Sequence, residues 1–254
     1  MGKCIGCQNG DETDFSLRVA FQPIVDLKTG SAYAYEALVR GPNGEGAAFV
    51  LSRVTAENRY SFDQACRVAA IKGAVAAGIL ETEALLSINF LPNTVYSPLA
   101  CIQLTLKTAR KVGFPTNRLI FEFTENEQID VEHLRKIVSC YRQMGFQTAI
   151  DDFGAGHSGL TLLANLETDV LKLDMELIRG IDTSKRRRVI VATVVDLAER
   201  LNIRVVAEGV ETTQELEALQ MVGIRYVQGY FFATPILEAL PSIHNMQTIK
   251  MLAA

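Results

Sequence analysis

The sequence predicts an α/β fold, a TIM-like (β/α)8 barrel whose first strand runs antiparallel to the second. Two observations lead to this prediction: eight short runs rich in β-branched residues, and longer segments of helical periodicity between most of them. Connections of crossover length make most of the strands parallel, and eight such strands are enough to close a barrel. A doubly wound open sheet is the alternative arrangement for the same pattern.

The predicted strands are spread along nearly the whole chain. They lie at 19–24, 32–39, 85–89, 119–123, 148–152, 170–173, 204–207 and 226–229. Predicted helices between them include 62–77, 131–144, 186–201 and 213–222. The first two strands are joined only by the segment 26–30. This is hairpin length, so these two strands are expected to be antiparallel.

Length and composition predict one folded domain. The 254 residues are 48% hydrophobic and 21% charged, which supports a large core. Because no linker-like stretch or internal repeat interrupts the pattern, we assign residues 15–254 to one domain and 1–14 to a loose leader. The net charge of −4 argues against a DNA or RNA polymer as partner, because such binding needs a basic face.

The cysteines and the apolar stretches bear on the location of the protein. The five cysteines are an odd number, and with the polar start of the chain they predict a reduced, cytoplasmic protein. The stretch 84–106 has no charged residue and is long enough to cross a membrane. It contains Pro92 and Pro98 together with several amide side chains, so we expect no membrane insertion. Cys4 and Cys7 form a CxxC pair, for which a redox or metal role and an incidental leader both stay open.

Polar residues recur where the predicted strands end. In barrel enzymes the chemistry takes place at the carboxyl ends of the strands, so these side chains are expected to meet on one rim. The residues at or near these positions are Glu36, Asn89, Glu122, Asp151, Asp152, Lys172, Glu208 and Gln228. Such an oxygen-rich set suits Mg²⁺ or Mn²⁺, and it has enough carboxylates for two ions that clamp a phosphoryl displacement.

Each of these residues taken alone has an ordinary explanation. A single Glu at a strand end is usually solvated, Asp151-Asp152 could form a turn with a helix cap, and Asn89 could satisfy loop backbone groups. Their joint placement on successive strands is what favours a functional site.

Seven ordered elements resemble the EAL-domain family of cyclic di-GMP phosphodiesterases, over roughly residues 16–240. The elements are Phe21-Gln22-Pro23-Ile24 with Tyr35-Glu36-Ala37-Leu38-Val39-Arg40, Ser87-Ile88-Asn89, Phe121-Glu122-Phe123-Thr124-Glu125, Asp151-Asp152-Phe153-Gly154-Ala155-Gly156, Leu171-Lys172-Leu173-Asp174, Val206-Ala207-Glu208-Gly209-Val210-Glu211 and Gln228-Gly229-Tyr230. A lone Glu-Ala-Leu would carry no weight, but seven elements in order are specific.

The resemblance implies a role for each matching residue. Metal ligands are expected at Glu36, Asn89, Glu122, Asp151 and Asp152. Lys172 and Glu208 are expected to hold and activate the water, and together with Glu36 and Asp151 they form the expected catalytic set. Substrate contacts are expected from Gln22, Leu38, Arg40 and Gln228. Glu125 and Glu211 are expected to support the loop of the metal site.

The resemblance also implies an activity and partners. The expected reaction is hydrolysis of cyclic di-GMP to linear pGpG with two Mg²⁺ or Mn²⁺ ions. Ca²⁺ is expected to inhibit for a separate reason, because it prefers more ligands at longer distances than Mg²⁺. A homodimer is expected, and because no sensory domain is recognisable, a separate sensory or regulatory protein is a candidate partner. Two alternatives stay open: a catalytically silent cyclic di-GMP receptor, and a protein-interaction domain that no longer binds the nucleotide. Metal-stimulated turnover separates the enzyme from both.

Overall fold

The computed structural model describes residues 15–124, 130–156 and 158–245. Its strands are β1 (Arg18–Asp26), β2 (Ser31–Arg40), β3 (Leu85–Asn89), β4 (Leu119–Thr124), β5 (Gln147–Phe153), β6 (Val170–Leu173), β7 (Arg204–Ala207), β8 (Tyr226–Val227) and β9 (Ile236–Leu237). Its helices are α1 (Ala47–Leu51), α2 (Arg59–Ala76), α3 (Pro98–Cys101), α4 (Gln103–Val112), α5 (Val131–Gln143), α6 (Gly159–Asn165), α7 (Met175–Ile178), α8 (Lys185–Arg200) and α9 (Thr213–Met221).

The strands close into a barrel. From β2 to β8 each strand pairs in parallel with the next one along the chain. β1 closes the ring, because it pairs antiparallel with β2 on one edge and with β8 on the other. The short β9 pairs with β1 beyond β8, on the same edge. The predicted barrel and its antiparallel first strand are therefore confirmed, and the open sheet is excluded.

The boundaries of the elements differ from the prediction in small ways. The last barrel strand ends at Val227, so Gln228 follows this strand and does not lie on it. Helices α1, α3, α4, α6 and α7 were not among the predicted segments, and four of them have seven residues or fewer. Their apolar patterns are too short to show a helical period. Among the helices in the described part of the chain, none is long and apolar enough to cross a membrane.

The barrel interior has an apolar layer and a polar layer. Both are formed by the inward-facing side chains, which recur at every second residue of each strand. The apolar layer lies toward the amino ends of the parallel strands and contains Ile24, Ala34, Leu85, Ile120, Ala149, Val170, Val206 and Tyr226. Side chains two positions apart on a strand face the same way. Two residues nearer the rim, each strand or the residue just after its end therefore presents a polar side chain above this layer; these are Gln22, Glu36, Ser87, Glu122, Asp151, Lys172, Glu208 and Gln228.

The main hydrophobic core lies between the barrel and the helices. Alternate strand residues such as Phe121 and Leu171 face outward into it and are fully buried. Helix α5 packs against this surface through one apolar face that includes Leu134 and Ile137. Burial on both faces fixes the register of each strand, because a slip by one residue would exchange the polar interior set for the apolar outer set.

Candidate metal centre

Lys172 lies at the centre of the polar layer. Its Nζ is 2.8 Å from Glu208 Oε1, 3.0 Å from Glu122 Oε2, 3.0 Å from Asp151 Oδ1 and 3.3 Å from Glu36 Oε2. The lysine side chain is 1% exposed. One ammonium group therefore holds four carboxylates together at the carboxyl ends of the parallel strands.

Glu36 is oriented by amide groups from other strands or strand ends. Gln228 Nε2 donates to Glu36 Oε2 at 2.8 Å and to Gln22 Oε1 at 3.1 Å. Asn89 Nδ2 donates to Glu36 Oε1 at 3.0 Å. With its NH₂ group engaged in this way, Asn89 keeps its carbonyl Oδ1 as the group available to a cation.

Glu122 is held by a residue to which the sequence analysis assigned no role. Ser87 Oγ donates a hydrogen bond to Glu122 Oε1. Ser87 precedes Asn89 by two positions on β3, so strand alternation alone would have placed it on the interior face. Ser87 belongs to the motif Ser87-Ile88-Asn89, so its spacing from Asn89 is a signal that the sequence itself carries.

Asp151 and Asp152 lie at an irregularity in the sheet. The β5–β6 register shifts between Ile150 and Phe153, and Asp152 has a left-handed backbone with φ of 56°. Adjacent residues of a regular strand point to opposite faces, but a bulge redirects one of them. Asp152 thereby joins Asp151 and Glu208 in a group whose oxygens lie within 4.8 Å of one another.

The charges of the cluster shift one another's pKa values in opposite directions. Burial acts to raise the pKa of Glu36, but attraction to Lys172 and the hydrogen bonds from Gln228 and Asn89 outweigh it, so this pKa is lowered. Burial acts to lower the pKa of Lys172, yet the surrounding carboxylates hold it well above its usual value. Glu36 and Lys172 are therefore both charged near neutral pH.

The other carboxylates have raised pKa values. Burial, together with repulsion from Glu36 and Asp151, raises the pKa of Glu122 to about 8 in spite of Lys172. Burial and repulsion from Asp151 raise the pKa of Asp152 to about 6. Burial is also the largest cause of the raised pKa values of Asp151 and Glu208. More negative charge is gathered here than one lysine can neutralise.

This donor set fits divalent cations with a preference for oxygen. Glu36, Glu122 and Asp151 form a second group with oxygens within 4.8 Å of one another, and Asp151 belongs to both groups. Asn89 Oδ1 adds an uncharged oxygen beside Glu36. Carboxylate and amide oxygens without His or Cys are the ligands preferred by Mg²⁺ and Mn²⁺. All five residues predicted as ligands thus lie at one site.

A polar cavity of about 230 Å³ opens beside the cluster. It is lined by Gln22, Glu36, Asp152, Asp174, Met175, Arg179, Glu208, Gly209, Glu211, Gln228, Gly229 and Tyr230. Glu211 Oε1 is 3.2 Å from Arg179 Nη2, so Glu211 connects the segment after β7 to the end of α7. Asp174, Arg179 and Tyr230 had no predicted role, and no periodic pattern marks them in the sequence because they lie in connecting segments.

Gly229 is required by the close approach of two of these segments. A Cβ atom at this position would collide with the backbone carbonyl oxygen of Val210. The same segments are joined by a hydrogen bond from Val210 N to Gln228 O at 3.1 Å. Glycine at 229 therefore allows Gln228 to lie next to the residues that follow Glu208.

Leu38 and Arg40 lie farther along β2, away from Lys172. Leu38 lines a largely apolar cavity of about 330 Å³ together with Asn89 and Thr124. Arg40 is half-buried, and its Nη1 donates to the Val39 carbonyl oxygen at 2.8 Å. The predicted substrate residues thus fall into two groups: Gln22 and Gln228 contact Glu36 or its partners, whereas Leu38 and Arg40 lie at the end of β2.

Two predictions fall on residues outside the described part of the chain. These are the loop-supporting role of Glu125 and the role of the Cys4/Cys7 pair, and both stay predictions. The leader that the sequence analysis placed at 1–14 also lies outside it.

Comparisons with known proteins point to one family. The EAL domain model matches residues 12–235. A standalone versatile EAL protein from Vibrio cholerae O395, solved in its c-di-GMP bound form, is 48% identical with a TM-score of 0.88; the match covers 92% of this chain and 98% of that one. A manganese/cy-diGMP complex of Klebsiella pneumoniae BlrP1 is 36% identical with a TM-score of 0.84, covering 91% of this chain and 58% of that one.

Two curated relatives come from Escherichia coli (strain K12). The blue light- and temperature-regulated antirepressor BluF is 31% identical over 225 residues, which cover 88% of this chain and 55% of BluF. The probable cyclic di-GMP phosphodiesterase PdeG is 31% identical over 227 residues, which cover 85% of this chain and 44% of PdeG. The chain thus spans about half the length of these relatives.

The fold and the site together define a TIM-like barrel with a candidate oxygen-donor metal centre at the carboxyl ends of its strands. The chain belongs to the EAL family, since the family model covers most of its length.

Proposed function

We propose that this chain is a metal-dependent phosphodiesterase that hydrolyses cyclic di-GMP to linear pGpG. One observation carries the proposal: four carboxylates converge on Lys172, with Asn89 beside them, at the strand ends where barrel enzymes do their chemistry. The c-di-GMP bound Vibrio cholerae structure and the name of PdeG support the choice of substrate.

The residues that would hold the cations are Glu36, Asn89, Glu122, Asp151 and Asp152. Oxygens of Glu36, Glu122 and Asp151 form one group, and oxygens of Asp151 and Asp152 form a second group together with Glu208, which suits two ions. When bound, Mg²⁺ or Mn²⁺ would lower the pKa of water and neutralise part of the charge of the phosphodiester. The manganese complex of BlrP1 supports this choice of metal.

Lys172 and Glu208 are proposed to position the attacking water. Glu208 adjoins the polar cavity, and its side chain is 18% exposed against 1% for Lys172. The Glu208 carboxylate, held at 2.8 Å by Lys172 Nζ, is proposed to take a proton from the attacking water. The water oxygen then bonds to phosphorus and the bond from phosphorus to the 3′ oxygen breaks. The leaving 3′ oxygen takes up a proton from solvent, and Glu208 returns its proton to solvent.

The substrate is proposed to contact Gln22, Leu38, Arg40 and Gln228. Glu36 lines the polar cavity together with Gln22 and Gln228, and Asn89 lines the apolar cavity together with Leu38. A ligand with two bases joined through phosphates could occupy both sides with its phosphodiester above the cluster. Arg40 would supply positive charge for a phosphate at the end of β2.

The test is incubation of the purified chain with cyclic di-GMP and either Mg²⁺ or Mn²⁺, followed by chromatography of the products. We expect a single product, pGpG, that forms only with metal present and is absent in excess chelator. Substrate that stays intact at micromolar enzyme with both metals would overturn the proposal.

A second candidate function is binding without turnover, either as a cyclic di-GMP receptor or through contacts with another protein. The antirepressor name of BluF favours this candidate, since it describes action on a partner protein. Calorimetry with cyclic di-GMP in Ca²⁺ separates these two readings. A chain that binds the nucleotide in Ca²⁺ but forms no pGpG in Mg²⁺ is a receptor, and a chain that does not bind the nucleotide is an interaction domain. A separate sensory or regulatory protein is a proposed partner in either case.

A further inference from the structure

A buried ion pair on α2 lies behind the metal centre and outside the barrel. Asp63 and Arg67 are four residues apart on this helix, with Arg67 Nη2 at 2.7 Å from Asp63 Oδ2. Arg67 is fully buried and Asp63 is 2% exposed. Charged residues are rarely so buried unless the pair has further partners.

The partners of this pair are the segments that carry Asn89 and Glu122. Asp63 Oδ1 accepts a hydrogen bond from the backbone N–H of Leu91 at 2.9 Å, two residues after Asn89. The guanidinium carbon of Arg67 is 5.3 Å from the ring centre of Phe90 and 5.4 Å from that of Phe121. Phe90 immediately follows Asn89, and Phe121 immediately precedes Glu122.

The same pair also contacts α5 and the link between β3 and β4. Arg67 Nη1 donates to Tyr141 Oη at 3.0 Å, and the Tyr141 ring lies 4.9 Å from that of Phe121. Phe90 N donates to the Glu122 carbonyl oxygen at 2.9 Å. Asp63 and Arg67 thus connect two helices to the two strand ends that present Asn89 and Glu122.

Stability alone does not account for an ion pair at this place. Removing two charges from water costs several kcal/mol per ion, and well-packed apolar residues often replace a buried pair with no loss of stability. An apolar residue at 63 could not, however, accept the Leu91 N–H, and that bond fixes the chain just beyond Asn89.

We propose that Asp63 and Arg67 are positioning residues that hold Asn89 and Glu122 at the spacing a divalent cation requires. This inference rests on the metal site of the proposed function. Asp63 acts through its bond to the Leu91 backbone, and Arg67 acts by fixing the Asp63 carboxylate and by packing on Phe90 and Phe121. Outer partners that orient ligands in this way typically change metal affinity about 10- to 100-fold when removed.

The test compares two double variants that both lack the ion pair. Asp63→Leu with Arg67→Met removes the acceptor for Leu91 N–H, whereas Asp63→Asn with Arg67→Met retains an acceptor oxygen. Binding of Mn²⁺ is measured by the electron paramagnetic resonance signal of the free ion, and unfolding by a thermal scan. Val191→Ala, a buried truncation on α8, serves as a control for loss of stability without loss of this contact.

We expect the double variant with Asp63→Leu to weaken Mn²⁺ binding about tenfold or more, the double variant with Asp63→Asn to lose much less, and Val191→Ala to bind as wild type. Wild-type affinity in the first variant would overturn the inference. The inference would also be overturned if both double variants lost Mn²⁺ affinity equally, in proportion to the fall in their unfolding temperatures. If the wild-type chain itself binds no Mn²⁺, the proposed function fails, and this inference fails with it.

Discussion

Lys172 Nζ lies 2.8 Å from Glu208 Oε1, and this contact joins β6 to the segment that follows β7. The same ammonium faces three further carboxylates, on β2, β4 and β5. Because one cation offsets part of their mutual repulsion, the chain can gather this much negative charge without losing the fold.

Replacing Lys172 by Met should abolish turnover and destabilise the metal-free chain. Loss of one partner from a buried ion pair costs about 3–5 kcal/mol, because the remaining charge is unpaired. We expect a larger fall in unfolding temperature at pH 8 than at pH 5, since the carboxylates can take up protons at the lower pH. Lys185→Met, on the exposed start of α8, is the control. Equal losses at both pH values would contradict this view of the cluster.

Glu36→Ala and Asp151→Asn should each abolish hydrolysis while leaving the fold intact. Both residues lie within the groups of oxygens proposed to hold the cations, and each removal lowers the carboxylate repulsion, so metal-free stability should be kept or raised. Product chromatography and circular dichroism are the measurements. Glu199→Ala, exposed on α8, should behave as wild type. Wild-type turnover by either site variant with metal present would refute the assignment.

Stability of the metal-free chain should fall as the pH rises from about 5 to about 8. The pKa of Glu122 is raised from 4.5 to about 8 and that of Asp152 from 3.8 to about 6, mainly by burial. The folded state therefore binds protons more tightly than the unfolded state, and this contribution is lost as the pH passes the folded values. The pKa of Glu36 is lowered from 4.5, so its titration changes the stability only below about pH 4.5, outside this range of pH.

Urea unfolding in chelator at pH 5, 6.5 and 8 measures this dependence. Glu122→Gln should flatten it, and added Mg²⁺ or Mn²⁺ should offset it because cations replace the protons. A metal-free chain that becomes more stable between pH 5 and pH 8 would show that the raised pKa values are wrong in direction.

Ca²⁺ should inhibit hydrolysis while still allowing the substrate to bind. It prefers more ligands at longer distances than Mg²⁺, so it would position water less well. A calcium/cy-diGMP complex of BlrP1 shows that Ca²⁺ and the nucleotide occur together in a related protein. Product formation in Mg²⁺ is measured with increasing Ca²⁺, beside calorimetry of nucleotide binding in Ca²⁺ alone. Full activity with Ca²⁺ alone would contradict the two-metal proposal.

The chain should form a homodimer through helices that follow the Asp151–Asp152 segment. Leu160 on α6 is 66% exposed and Val189 on α8 is 57% exposed, and closed two-fold pairs are the commonest oligomers. Light scattering at high micromolar concentration should give twice the chain mass. Leu160→Lys should shift the chain toward a monomer, whereas Met221→Lys, exposed on α9, should not. A wild-type monomer would refute the prediction.

The meeting of the polar side chains of the candidate site could be predicted because it follows from a period of two. Glu122 and Lys172 each stand two residues beyond an apolar interior residue, so a correct strand assignment is enough to bring them together. The antiparallel direction of β1 could be predicted as well, because the connection from β1 to β2 is short enough for a hairpin.

Features that depend on local departures from regular structure could not be predicted. The bulge at Asp151 and Asp152 changes the direction of one side chain. The periodicity of the sequence does not predict this bulge. Arg40 turns to its neighbour's carbonyl, which depends on a rotamer and not on sequence spacing. Asp63 and Arg67 did carry a signal that was overlooked, a pair of opposite charges at i and i+4 in a helix whose buried face is otherwise largely apolar.

The left-handed backbone at Asp152 limits which amino acids this position can accept. Glycine, asparagine and aspartate take up such a conformation most readily, and of these only asparagine and aspartate bring a side-chain oxygen to the cluster. A longer acid such as glutamate would keep the charge but strain the turn, while asparagine would keep the turn and lose the charge. Shape and charge are therefore separate requirements at residue 152, and aspartate is the one common side chain that meets both.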